Sequence, residues 1–143
     1  MSYQGFSQSL QTRSDMLSKL RHDLDRMRCD PLDVFAAYDF FVTAHHVKDW
    51  PPKAQIDQPL RDVLARLANG AKHFEIDNPR LKGVRNVETT RGAFDPRVFQ
   101  HNAFDVGRLV VDLDGDAEKV FGSRVTAFAL AEKALAAWEA VVA

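Results

Sequence analysis

Residues 31–50, PLDVFAAYDFFVTAHHVKDW, constrain this chain more than any other stretch. Read at helical spacing, the middle of the segment is apolar on nearly every side, with Phe35, Tyr38, Phe40, Phe41 and Val42 following closely on one another. A helix without a polar face must be surrounded, and its natural place is the centre of a helical bundle. Asp30 is a good N-cap, Pro31 suits the first helical position, and Asp33 favours the positive end of the helix dipole. Pro51-Pro52 ends the segment. Phe35, Tyr38, Phe40 and Phe41 are therefore expected in the core, not on a stacking platform.

Three further segments supply faces to cover it. In residues 7–29, Leu10, Leu17 and Leu24 recur every seven positions, with Arg13, Leu20 and Met27 interleaved, giving one narrow seam. In residues 58–75, behind Asp57 as N-cap, Leu60, Val63, Leu64, Leu67, Ala71 and Phe74 gather on one side. In residues 123–142, Ser123 is the expected N-cap, and Val125, Phe128, Ala131, Leu135, Trp138 and Val142 face inward. Residues 78–107 hold Pro79, Gly83, Gly92, Pro96 and Gly107 and have no helical period. Beyond them, residues 108–113 read as a strand turned by Asp114-Gly115, with residues 86–90 as its antiparallel partner. Residues 116–121 fit a returning strand or one helical turn equally well. The expectation is one domain over residues 1–143, mainly α. It is a four-helix up-down bundle with a small antiparallel β-hairpin inserted between helices three and four, inside an insertion at 78–121.

Composition narrows the function classes. Nineteen Lys and Arg against twenty Asp and Glu give a formal charge of −1, so bulk charge does not call for nucleic acid. The single cysteine, Cys29, has no intrachain disulfide partner, which fits a cytoplasmic setting, and it reads as a small buried residue. The first fifteen residues have no basic region followed by an apolar one, so no signal peptide is expected. No apolar run approaches the roughly 18 residues of a membrane span.

The candidate chemistry lies on the third helix. Arg66, Asn69 and His73 are spaced i, i+3, i+7 and form a polar stripe roughly 130° from the apolar one. A histidine near a helix C-terminus is favoured by the dipole and needs no function. Two residues argue for more. Gly70 sits inside the helix at a cost of about 1 kcal/mol relative to Ala, which suggests close approach of a backbone or ligand. Asn69 stands where a better helix former would serve.

Four helices with Arg66-x6-His73 and Asn69-x3-His73 on the third resemble the HEPN superfamily of small prokaryotic helical domains. The resemblance covers the helical parts of the chain and not residues 78–121. It implies a homodimer with two motifs facing a shared cleft. Its members include metal-independent ribonucleases and toxins, and others that only bind nucleotides or partners. In the ribonuclease case, His73 is the implied acid or base in RNA cleavage, Arg66 holds the phosphate, and Asn69 orients one of them. The family's arginine usually stands immediately before the polar residue, where this chain has Ala68. That departure and the near-neutral charge favour a binding module, with RNA, a nucleotide or a protein as partner, over an enzyme. No cofactor is implied. Lys72 is a further candidate for ligand contact, and the loop residues Arg80, Lys82, Arg85 and Arg91 either track a nucleic-acid backbone or, as the commoner case, form an ordinary solvated charge run.

His45, His46 and Asp49 lie within one turn and with His73 make a third reading, a metal-binding bundle. Bundle metal sites usually carry Glu-x-x-His on two helices, which is missing here, so no metal is expected. His46 and Asp49 alternatively extend the cleft around His73. The acidic run from Asp112 to Glu118 lacks the glycine and glutamate positions of a calcium loop and reads as a turn.

Overall fold

The computed structural model describes residues 3–72, 83–90 and 107–142. Among them the chain is mainly helical, with a small antiparallel sheet. In order come α1 (Arg13–Cys29), α2 (Val34–His46), a 3-10 turn (Val47–Asp49), α3 (Leu60–Lys72), β1 (Val84–Thr89), β2 (Leu109–Leu113), α4 (Gly115–Phe121), β3 (Arg124–Thr126) and α5 (Ala127–Val142).

α1 starts later than its leucine spacing suggests, because a capping box fixes its origin. Thr12 Oγ1 accepts from the Asp15 N–H at 3.2 Å, and the Asp15 carboxylate accepts from the N–H groups of Gln11 and Thr12 at 2.9 and 3.0 Å. Those backbone donors hold the Asp15 carboxyl below its ordinary range. Ser7 and Leu10, expected in the helix, form an isolated bridge before it. From Arg13 on the seam is buried as read, with Arg13, Leu17, Leu20, Leu24 and Met27 all turned inward, while Leu10 lies before the helix and is partly buried.

α2 also begins late. Asp30 closes the preceding turn by accepting from the Leu32 N–H at 3.1 Å, and Asp33 caps the helix through the Ala36 N–H at 3.0 Å. Ala36, Ala37, Phe40, Phe41, Thr43 and Ala44 are buried against α1, α3 and α5. The expected burial of all four aromatics is corrected here: Phe35 is 79% and Tyr38 49% exposed. Ala36, Ala37 and Phe40 take the covered side of the N-terminal part of α2. Phe35 is left to solvent, and Tyr38 borders an open space beside α3.

α2 is tied to its neighbours by two polar links. The Trp138 indole N–H donates to the Ala44 carbonyl at 2.9 Å in the fully buried core, satisfying an acceptor near the C-terminal end of α2. Nearly buried Asp23 accepts from Lys19 and Arg26, and Arg26 reaches across to Asp39 on α2 at 2.8 Å.

Among the described residues there are five α-helices rather than the expected four. Where a hairpin is expected between the third and last helices, β1 and β2 pair antiparallel, with Val87 opposite Val111. A third strand joins them on the other side of β2, in the order β1-β2-β3. Residues 124–126, expected in the first turn of the last helix, form that strand because Arg124 is pulled onto Asp112 of β2 and Glu88 of β1. The Ser123 carbonyl accepts from the Leu113 N–H at 2.8 Å, so Ser123 leads into β3 rather than capping a helix. Thr126 Oγ1 instead accepts from the Ala129 N–H at 3.1 Å, and α5 starts at Ala127. Residues 116–121 are helical, and Gly115, at φ 58°, takes the left-handed turn that leads from β2 into α4. No helix among the described residues is long and apolar enough to cross a membrane.

Candidate functional site

α2, α3 and the β1–β2 pair leave an open cleft of about 620 Å³ between them. α2 contributes Val34, Ala37, Tyr38 and Phe41. α3 contributes its C-terminal half through Arg66, Leu67, Gly70 and Ala71. The floor is completed by Leu109 and Val111 of β2. The Tyr38 hydroxyl donates to the Ala71 carbonyl at 3.0 Å across the two helices.

The fourth wall owes its shape to a bulge. Val84 pairs with Leu113 and Asn86 with Asp112, so Arg85 is the extra residue of β1. In a regular strand alternate side chains face opposite sides, but a bulge re-aims them. Four consecutive residues, Val84, Arg85, Asn86 and Val87, accordingly border the cleft. β1 is an edge strand, and Arg85, Asn86 and Val87 are exposed.

The predicted stripe on α3 is divided. Arg66 and Gly70 border the cleft, one turn apart. Asn69 does not border it, and its side-chain amide donates to the Ala65 carbonyl of its own helix at 2.7 Å. Its expected role in orienting His73 or a phosphate finds no contact among the described residues. His73 lies outside the described residues, as do Arg80, Lys82 and Arg91. Lys72 is exposed at the end of α3 and is not a cleft residue. Ala68 is only 5% exposed, so the position where the resemblance would place an arginine faces the core.

His46 and Asp49 sit together, with Nδ1 3.5 Å from Oδ2, but neither lines the cleft. The His45 ring packs edge-on against His46, centroids 4.9 Å apart. Burial, followed by the nearby Lys48 and His46, pushes the His45 pKa down to about 4, so the ring is neutral at pH 7. No three His, Cys, Asp or Glu side chains among the described residues come close enough to hold a metal ion. The acidic run is used structurally. Asp112 binds Arg124, whose hydrogen bond and charge hold its carboxyl below the ordinary range, and Asp114 accepts from the Gly83 N–H at 3.1 Å. Cys29, expected to be buried, is exposed, because it is the last residue of α1 and lies off the seam.

Sequence reasoning missed Tyr38, Asn86 and Val87 as cleft residues and placed Arg85 only in a basic loop. Tyr38 carried a visible signal, since its hydroxyl has to find a partner wherever the ring packs. The bulge at Arg85 left none.

Comparison with known proteins returns no matching family model, curated protein or solved structure.

Proposed function

We propose that this chain is a binding module whose site is the cleft bordered by Arg66. The observation that carries the reading is the cleft itself. Its volume falls within the roughly 300–1,000 Å³ of ligand pockets, and an apolar lining with a few polar groups at its edge is the usual composition of such sites. Three of its lining apolar residues, Val34, Tyr38 and Val87, are between 41% and 51% exposed, an arrangement that gains from being covered.

The resemblance to HEPN domains would add a homodimer as the working unit and, by its motif, a role for His73 together with Arg66. Burial of Ala68 supports binding over RNA cleavage within that resemblance, because the pattern's arginine has no room at that position. Sedimentation of the purified chain tests the dimer, and a monomer at high concentration removes that part of the proposal.

A crystallographic fragment soak tests the binding reading without assuming a ligand. Fragments are expected to cluster between Tyr38, Leu67 and Val87. A screen whose hits all lie elsewhere overturns it.

A further inference from the structure

Resting on the reading of the cleft as a binding site, we infer that its ligand is a small amphiphilic monoanion, a carboxylate carried on an aliphatic or aryl body. The floor formed by Phe41, Leu67, Leu109 and Val111 offers no polar side chain. It suits a body whose affinity comes from leaving water. Among the described residues, the charged side chains that line the walls are of one sign. Arg66 stands on α3 and Arg85 on β1, and no carboxylate borders the cleft among the described residues.

Arg85 carries the argument furthest. It is the extra residue of the bulge, and it is exposed at the cleft. Its side chain makes no hydrogen bond or ion pair among the described residues. Its charge is felt by Asp112, which is already held by Arg124. A guanidinium in this position is a ready fork for a carboxylate.

The helix dipole weighs against a highly charged ligand head. α3 borders the cleft with its C-terminal half, whose end carries the negative pole of the helix dipole. Phosphate dianions are drawn to the opposite end, where free N–H groups point outward. The negative pole beside the cleft opposes any anion and opposes a dianion about twice as strongly as a carboxylate, so a singly charged head held by an arginine is the anion least disfavoured here.

Calorimetric titration of the whole chain with decanoate, decanol and phenyl phosphate tests this. Decanoate is expected to bind as a single molecule per chain, with decanol weaker by at least about tenfold and phenyl phosphate weaker than decanoate. Arg85→Gln is expected to weaken decanoate about tenfold and leave decanol unchanged, with Arg85→Lys recovering part of the loss. Arg85 is exposed, so these variants fold. Equal affinity for decanoate and decanol, tighter binding of phenyl phosphate, indifference to Arg85→Gln, or no saturable decanoate binding each overturns the ligand class. If fragments still enter the cleft in that case, the binding-module reading stands. If they do not, both fall.

Discussion

The Tyr38 hydroxyl donates to the Ala71 carbonyl at 3.0 Å, joining α2 to the end of α3 where both line the cleft. The ring is half-exposed, so the bond competes with water and is worth little in stability. Tyr38→Phe keeps the ring and removes the bond. Urea unfolding should report a loss of about 0.5–1 kcal/mol with an unchanged m-value. A loss several times larger would mean that the hydroxyl supports more of the fold than this single link.

Gly70 lies in α3, is exposed and borders the cleft. Gly70→Ala should stabilise the helix by up to about 1 kcal/mol, since alanine has the better helix propensity. If the glycine is kept for close approach of a ligand, occupancy of the cleft should fall in the same variant. Raised stability with unchanged fragment binding would assign Gly70 no role in the site.

His45 gives the fold a dependence on mild acid. Its folded pKa, about 4, lies below the unfolded value near 6.5, so the unfolded chain takes up the proton first. The contribution is complete above about pH 6.5 and is lost as pH falls towards 4. Because the ring is only partly buried, the loss is on the order of 1–2 kcal/mol. The stability profile of His45→Asn should be flatter than wild type across that window, and parallel profiles would contradict the assignment.

Asp112 acts at lower pH. The Arg124 guanidinium lowers its folded pKa, so its contribution is present above the unfolded value of 3.8 and disappears as pH falls through the folded one. Asp112→Asn should cost about 1–3 kcal/mol near neutrality, because Arg124 loses a charged partner within the sheet. The gap between variant and wild type should close in strong acid. A gap that persists there would point to packing rather than charge.

The helices were legible because burial follows periodicity: Leu17, Leu20 and Leu24 on α1 and Leu60, Val63 and Leu64 on α3 are buried as their spacing requires. The strands at Val84–Thr89 and Leu109–Leu113 were legible from β-branched residues and the Asp114-Gly115 turn. β3 was not, because Arg124-Val-Thr126 suits a helix start locally and becomes a strand through the Asp112 and Glu88 carboxylates, distant in sequence. On α3, Arg66 borders the cleft, which its place off the apolar stripe allows. Asn69 was not separable from it, since the choice between facing outward and bonding the Ala65 carbonyl leaves no trace in residue spacing. Phe35 and Tyr38 were misplaced because a wheel shows which faces are apolar and not how many neighbours arrive to cover them.

The most direct test of the cleft as the functional site is to fill it from an edge that tolerates change. Val87 is 41% exposed, stands on edge strand β1 and borders the cleft, and tryptophan is well accepted in strands. Amide-resolved NMR titration of a cleft-binding fragment into wild type and Val87→Trp is the measurement. The account predicts shifts at Tyr38, Leu67 and Ala71 in the wild type, and at least about tenfold weaker binding in a variant of unchanged thermal stability. Unaltered binding in a folded Val87→Trp chain would contradict it.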